Sequence, residues 1–216
     1  MMNLSLLYWA TEQTGDPRFS LIAQRHADTV SKHFIRPNGT SEHIVVFDPI
    51  TDRVVSKPGG QGYAAGTAWS RGQAWAIYGF AISYRHTGKQ EYLDTAKKVA
   101  DTFIAHVSND RLPDCDFEAP KAPIVKDDCA GAIAACGLME MADALGEVGE
   151  IYRNAAFAML QALEEKHIDW SVRQPALLTH CTGLYHNTDH HIAMIYGDYF
   201  FVEGGCRLLG HQGLRW

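Results

Sequence analysis

The stretch TAWSRGQAWAIYG, residues 67–79, decides the fold, and it follows a glycine-rich segment at residues 59–66. Trp69 and Gln73 are four residues apart, as are Arg71 and Trp75, so on a helix each pair would share a face. An arginine can bind a carboxylate through two parallel hydrogen bonds, and an indole ring can stack on the apolar face of a sugar. The stretch therefore predicts a helix that lines a cleft for an acidic saccharide. The alternative is a buried aromatic helix whose arginine is satisfied within the core.

Length and composition indicate a single domain spanning residues 1–216. The chain has 216 residues, of which 46% are hydrophobic, and this is enough to bury a substantial core. Its formal net charge is -6, from 19 basic and 25 acidic residues, and no basic run occurs. The charge balance argues against a nucleic-acid partner. An acidic sugar would have to be bound by a local arginine rather than by the field of the whole protein.

The number and spacing of the cysteines indicate the cellular compartment of the protein. The five cysteines form no Cys-x-x-Cys pair and their number is odd, which predicts free thiols in a reducing compartment such as the cytoplasm. The first ten residues lack a basic leader and a small-residue cleavage site, and no run of 18 apolar residues occurs. Neither a signal peptide nor a membrane span is expected.

Hydrophobic spacing predicts three helical hairpins and one further helix. The first two hairpins cover roughly residues 1–34 and 67–104, and a third begins with a helix over residues 130–144. The last helix covers about residues 191–209. A short β-hairpin is predicted from residues 43–47 and 53–55, and loops are predicted at 108–126 and 167–190.

An internal repeat supports this arrangement. Thr14-Gly15 recurs as Thr87-Gly88, and Ala27-Asp28-Thr29 recurs as Ala100-Asp101-Thr102, both times 73 residues later. Repeated hairpins of this size indicate an all-α fold of stacked or ring-closed helical pairs. Three hairpins and one helix are too few to close a ring, so apolar helix faces would be exposed. We expect the chain to be part of something larger or to self-associate through those faces.

Several motifs resemble the unsaturated glucuronyl hydrolases of glycoside hydrolase family 88. They are Met1-Met2-Asn3-Leu4, Leu7-Tyr8-Trp9-Ala10, His43-Ile44-Val45, Gln61-Gly62-Tyr63, the run from Trp69 to Trp75, and Ile195-Tyr196-Gly197-Asp198-Tyr199. The resemblance covers nearly the whole chain. It implies an (α/α) toroid of six hairpins, of which this chain would supply three to four.

The resemblance also implies a chemistry. Members of this family release a 4,5-unsaturated uronic acid from the non-reducing end of oligosaccharides made by polysaccharide lyases. An aspartic acid protonates the vinyl ether, water adds, and the resulting hemiketal opens and releases the sugar. No metal or organic cofactor is implied.

Five positions match the family's site residues. His43 matches an active-site histidine, and the substrate-lining positions are matched by Gln61, Trp69, Arg71 and Trp75. The family's principal catalytic aspartate would lie immediately before Met1, so we expect a C-terminal portion of such an enzyme that is inactive alone. An unsaturated rhamnogalacturonyl hydrolase is one alternative, and a non-catalytic module that binds acidic sugars or assembles with a partner is another.

Other groups of reactive residues have simpler interpretations. The histidine-rich loop carries His180, Cys181, His186, His190 and His191. It shows no recognised ligand spacing, so we expect a polar loop rimming the cleft and no metal. Nothing beyond the presence of histidines supports Cys136 or Cys181 as a nucleophile.

Clustered carboxylates could also be offered as acid/base groups. They are Asp114, Asp116, Glu118, Asp127 and Asp128. Aspartate is common at helix starts and charged loops are usually solvated. We therefore predict that these residues cap helices or face solvent.

Overall fold

The computed structural model describes residues 1–171, 173, 175–188 and 190–211, so positions 172, 174 and 189 of the predicted loop lie outside the described residues. Within them the chain forms seven α-helices and one two-stranded antiparallel sheet. The helices are α1 (Leu4–Thr14), α2 (Pro17–His33), α3 (Ser70–Thr87), α4 (Gln90–His106), α5 (Asp128–Leu145), α6 (Glu150–His167) and α7 (Ile195–Leu208). The strands β1 (Val46–Phe47) and β2 (Val54–Ser56) lie between α2 and α3. The prediction of a helical fold with a short β-hairpin is confirmed.

Short turns fold the first six helices into three hairpins, α1–α2, α3–α4 and α5–α6. Gly15 and Gly88 follow the first helix of their hairpins with φ of 73° and 66°, a left-handed conformation that glycine adopts readily. Pro17 is the first residue of α2, and the Asp16 side chain caps this helix by accepting from the Arg18 N–H. The repeated Thr-Gly pair therefore marks equivalent helix ends.

Helices α3 and α5 form the centre of the core. The sequence CAGAIAACG, residues 129–137 of α5, is small and apolar, and all of these residues are buried. At Gly137 a Cβ would come within 2.7 Å of the Tyr78 backbone nitrogen on α3. The two helices approach closely because this position has no side chain. Helix α5 also packs against α6 and α7, and α3 packs against α1 and α4.

Two helix boundaries differ from their predictions. Helix α3 begins at Ser70 because Trp69 forms an isolated antiparallel bridge with Asp116 and is therefore extended. Helix α7 begins at Ile195, four residues later than predicted, because the segment before it pairs with Cys181 in a similar bridge. Each bridge joins a loop to the segment that precedes the helix.

Apolar side chains are exposed on the outer helices. They include Leu6, Trp9, Leu21 and Ile22 on α1 and α2, and Ile151, Phe157, Ile195 and Val202 on α6 and α7. Exposed apolar faces of this kind were expected from an incomplete set of hairpins. Self-association through them stays a prediction.

One apolar stretch, Asp128–His167, passes the length and composition test for a membrane span, with a mean hydropathy of 1.3 in its most apolar window. That window is 78% buried inside the protein. A helix that is apolar on all sides and packed among other helices has the composition of a core helix.

Candidate functional site

A cavity of about 730 Å³ opens between the first hairpin and the start of α3. Sites for small molecules commonly have volumes of roughly 300–1,000 Å³. Apolar side chains of α1 and α2, such as Leu4 and Val30, form part of its lining. His43, Trp69 and Trp75 also line it, and we call these three residues the aromatic wall.

Ring contacts hold the aromatic wall in place. The rings of His43 and Trp69 meet edge to face, with centroids 4.3 Å apart and planes at 73°. The Trp75 ring contacts Tyr196 and Phe200 of α7, at centroid distances of 6.5 and 5.3 Å. Such edge contacts fix the orientation of large rings while one face of a ring can remain available. The wall is therefore supported from α7.

Glycines bring the loop at residues 59–66 against the wall. A Cβ at Gly60 would overlap the His43 ring. A Cβ at Gly62 would lie 2.9 Å from the Trp69 Cβ, a distance that real Cβ atoms essentially never show. Gly60 and Gly62 are thus explained by close approach of the backbone to two rings of the wall.

Arg71 adjoins the wall within a buried network. Its side chain is 2% exposed, and its Nε donates to Asp127 Oδ2 at 2.8 Å. Its Nη1 donates to the Tyr196 hydroxyl at 2.7 Å, and its Nη2 donates to the Thr182 carbonyl oxygen. The guanidinium carbon lies 5.2 Å from the Trp69 ring centroid and 5.6 Å from that of Tyr196. Arg71 is therefore bound to protein groups and packs behind two aromatic rings.

Asp127 occupies the N-cap position of α5, but its side chain does not cap the helix and neither Asp127 nor Asp128 faces solvent, so the prediction of side-chain caps or solvated charge is wrong. Asp127 and Asp128 are fully buried, and Asp127 makes no capping hydrogen bond with its side chain. Instead, Asp127 accepts hydrogen bonds from Arg71 and, at 3.3 Å, from the Thr182 backbone N–H. Burial raises the pKa of Asp127 to about 6, and Arg71 opposes this shift. At neutral pH Asp127 is therefore ionised and balances the charge of Arg71.

Of the three loop carboxylates, only one faces solvent as predicted. Glu118 is exposed, but Asp114 and Asp116 are 6% and 1% exposed. Asp114 forms a salt bridge of 2.9 Å with Lys126, and Asp116 accepts a hydrogen bond of 2.7 Å from Thr67 Oγ1. The prediction of solvated charge or helix capping is wrong for these two aspartates, because both tie loop segments together.

Gln61 connects the glycine-rich segment to the histidine-rich loop. Its side-chain Nε2 donates to the Gly183 carbonyl oxygen at 2.8 Å, and its backbone carbonyl oxygen accepts from the Tyr185 N–H at 2.9 Å. Gln73 is 1% exposed and its Oε1 accepts from the Ser41 N–H at 2.9 Å. Both glutamines therefore hold loops beside the cavity.

His43 is neutral at pH 7. Burial lowers its pKa below the ordinary value, and the Gln61 side chain opposes that shift. Within the described residues, the buried atoms His43 Nδ1 and Trp69 Nε1 have no hydrogen-bond partner. Unpaired buried polar atoms are uncommon in native proteins, and here two occur on the aromatic wall.

The structure brings three of the five predicted site residues, His43, Trp69 and Trp75, to one cavity. Among the described residues, the cavity lining does not include Gln61 or Arg71, which lie behind it. Sequence reasoning missed Asp127 and Tyr196 as members of the Arg71 network. A core arginine needs a carboxylate partner, and this requirement was the signal that could have identified Asp127.

A second buried charge network joins the other ends of α3, α5 and α7. Glu140 accepts from Arg85 and Arg207, each at 2.8 Å. Glu203 is fully buried and accepts from Arg207 Nε at 2.9 Å and from the Tyr78 hydroxyl at 3.3 Å. Burial raises the pKa of Glu203, and Arg207 opposes this shift. The sequence analysis singled out none of these residues.

All five cysteines are free thiols, and four of them are buried. Burial raises the pKa of Cys136 well above its ordinary value, and its Sγ donates to the Phe200 carbonyl oxygen at 3.2 Å. A buried, neutral thiol is a poor nucleophile, which argues against a catalytic role for Cys136.

The chain is similar to curated proteins over almost its whole length. The chain is 34% identical over 220 residues to the unsaturated glucuronyl hydrolase of Bacillus sp. (strain GL1), and the match covers 96% of this chain and 57% of that protein. The chain is a homologue of the unsaturated glucuronyl hydrolases. It is also 31% identical over 224 residues to an unsaturated chondroitin disaccharide hydrolase of Streptococcus pneumoniae, covering 100% of this chain and 56% of that protein. No protein-family model matches the chain.

Solved structures of unsaturated glucuronyl hydrolases share the fold. The crystal structure from Bacillus sp. GL1 superimposes with a TM-score of 0.91 at 35% identity, covering 95% of this chain and 56% of that one. A Streptococcus agalactiae variant complexed with dGlcA-GalNAc6S gives a TM-score of 0.88 at 30% identity, covering 99% and 58%. The predicted α/α-toroid architecture is confirmed. The chain spans 52% to 57% of the length of the curated relatives that it matches.

Proposed function

We propose that this chain supplies the aromatic wall of a glycosidase site for oligosaccharides that end in a 4,5-unsaturated uronic acid. The observation that carries the proposal is the cavity lined by His43, Trp69 and Trp75 in a homologue of the unsaturated glucuronyl hydrolases. A flat unsaturated ring can stack on an indole, and sites for small molecules combine such apolar surfaces with a few polar groups.

The proposed roles follow from the contacts. Trp69 and Trp75 stack on sugar rings. Neutral His43 forms a hydrogen bond in the region where the reacting water lies. Arg71 and Gln61 are positioning residues in this proposal, because their side chains bind protein groups behind the wall. Arg71 in particular fixes Trp69 and Tyr196 through the contacts of its guanidinium.

The proposed reaction is hydration of a vinyl ether rather than direct displacement at an acetal. An acid protonates the double bond, and water adds to the carbon that becomes electron-poor. The resulting hemiketal then opens, which breaks the bond to the leaving sugar. We assign the proton donor to no residue of this chain, since Glu42, which lines the cavity, is paired with Arg36, and Asp127 is bound to Arg71.

Saccharide binding without turnover is a second candidate function. The observation that favours it is that two carboxylates beside the wall are paired with arginines, Glu42 with Arg36 and Asp127 with Arg71. The five free thiols also support our proposal of a reducing compartment such as the cytoplasm.

The test is to mix the purified chain with an unsaturated chondroitin disaccharide and with its saturated counterpart. Binding is followed by calorimetry, and turnover is followed by loss of the ultraviolet absorbance of the double bond. Preferred binding of the unsaturated sugar with turnover supports the enzyme, and the same binding without turnover supports the binding module. Equal binding of both sugars, or no binding, contradicts the proposed site.

A further inference from the structure

A cluster of imidazoles lies at the start of α5, outside the lining of the cavity. Asp128 begins α5, His167 ends α6, and His180 and His191 belong to the loop before α7. The sequence analysis considered the histidines of this loop but not His167 or Asp128 as their partners. Folding brings together residues that are far apart in the chain, which explains why no ligand spacing was visible.

The cluster is held by short contacts. His167 Nδ1 lies 2.8 Å from Asp128 Oδ1, and Asp128 Oδ2 accepts from the His180 backbone N–H at 3.2 Å. The rings of His167 and His180 stack with centroids 4.1 Å apart, and the ring of His191 lies 4.7 Å from that of His180. Potential ligand atoms of Asp128, His167 and His180 lie within 4.8 Å of one another.

The backbone at His191 is an independent observation. Its φ is 56°, a left-handed conformation that side chains other than glycine adopt only occasionally. Such outliers cluster at functional sites, where the surrounding structure holds the strained residue in place. Here the unusual conformation accompanies the contact of the His191 ring with the His180 ring.

We propose that Asp128, His167 and His180 bind a divalent transition-metal ion such as Zn²⁺, with His191 as the fourth ligand. Imidazoles and a carboxylate form a donor set typical of this ion. Ligand atoms around a tetrahedral zinc lie roughly 3.3 Å apart, given bonds of about 2.0–2.1 Å. Binding therefore requires the stacked rings of His167 and His180 to turn, so that their nitrogens and an Asp128 oxygen, which lie within 4.8 Å of one another, face one ion.

Access also favours this cluster over a second group of potential ligands. Asp127, Cys129 and Cys181 likewise converge, but all three are fully buried and Asp127 is bound to Arg71. His167 and His180 are only partly buried and His191 is exposed, so an ion can enter from solvent. A bound ion would fasten the histidine-rich loop to α5 and α6.

The test is calorimetric titration of the chelator-treated chain, without a polyhistidine tag, with zinc chloride. We expect one zinc ion per chain, and we expect His180→Gln and His167→Gln each to weaken binding at least tenfold. His106→Gln is the matched control, because His106 is exposed on α4 outside the cluster. Circular dichroism of each variant checks that it is folded.

Cobalt gives a second readout, which can be made on the wild type. The Co²⁺-loaded wild type should show the intense visible absorption of a four-coordinate ion, and His191→Ala should lose intensity. Absence of saturable zinc binding by the wild type would overturn the proposal, as would equal zinc affinity of the wild type and folded His180→Gln.

Discussion

Helices α3, α5 and α7 are joined at both ends by buried arginine–carboxylate networks, and the two networks differ in their surroundings. At one end Arg71 pairs with Asp127 and lies between the rings of Trp69 and Tyr196. The cavity borders this end through the aromatic wall. At this end the buried ion pair thus lies beside the cavity.

At the other end, the charges connect helices within the core. Arg207 bridges Glu203 and Glu140, and Arg85 also pairs with Glu140. We infer that this network serves stability, whereas the Arg71 network serves both stability and the orientation of the wall. Substitutions at the two ends should separate these effects.

Arg71→Met should have the largest effect. It leaves the buried Asp127 carboxylate without its partner, and breaking a buried pair in this way costs about 3–5 kcal/mol. Urea unfolding measures the loss, and saccharide binding should fail in any variant protein that remains folded. Arg18→Met is the control, because the Arg18 side chain is 82% exposed and its loss should change stability by less than about 0.5 kcal/mol.

A rescue variant sharpens this prediction. Adding Asp127→Asn to Arg71→Met removes the unpaired charge, so part of the lost unfolding free energy should return. If the double variant is as unstable as the two single variants combined, the two residues do not act as a pair.

Arg207→Met should also destabilise the protein, by about 3 kcal/mol, because it leaves two carboxylates with fewer partners. The expected contrast is in binding: at a temperature where the variant is folded, its saccharide affinity should equal that of the wild type. Calorimetry under those conditions makes the measurement. Weaker binding in the folded variant would show that the two ends are coupled.

Trp75→Ala should weaken saccharide binding, which Arg207→Met should leave unchanged. The indole is partly exposed on the cavity and supports stacking, so its removal should weaken saccharide binding about tenfold, or ~1.4 kcal/mol. Trp170→Ala is the matched control, since Trp170 is 61% exposed and lies outside the cavity lining. Equal losses of affinity in the two variants would remove the distinction between the wall and an ordinary surface tryptophan.

The smallest expected effect is a change in the free energy of unfolding with pH. Burial lowers the pKa of His43, so between that lowered value and about 6.5 the unfolded chain binds a proton that the folded chain excludes. The free energy of unfolding should therefore fall as the pH falls below about 6.5.

Comparison with His43→Gln isolates this contribution. His26 and His180 also have lowered pKa values because of burial, but they are present in both proteins and cancel in the difference. The stability of the wild type relative to the variant should decrease as the pH falls. A difference that is constant across this range would contradict the assignment of a buried, neutral His43.

Much of the fold could be predicted from the sequence because its signals are local. The Thr-Gly turns, the spacing of apolar residues and the small residues of α5 each depend on neighbours within a few positions. The exact start of α3 could not be predicted, because a bridge from Trp69 to the distant Asp116 decides it. Helix starts that depend on tertiary contacts leave no local pattern.

The same distinction applies to the site. His43, Trp69 and Trp75 could be proposed from the resemblance, but Asp127 was interpreted as a cap because aspartate is common at helix starts. Its true partner, Arg71, is 56 residues away in the sequence. The imidazole cluster was missed for a similar reason, because Asp128 and His167 reach it from different helices.

The most direct test of the central claim is to follow the tryptophan indole N–H signals by NMR while an unsaturated chondroitin disaccharide is added. The account predicts that the signals of Trp69 and Trp75 shift with a common saturation curve while that of Trp170 stays in place. Unchanged signals of Trp69 and Trp75, or a shift confined to Trp170, would contradict the claim that the aromatic wall is the saccharide-binding surface.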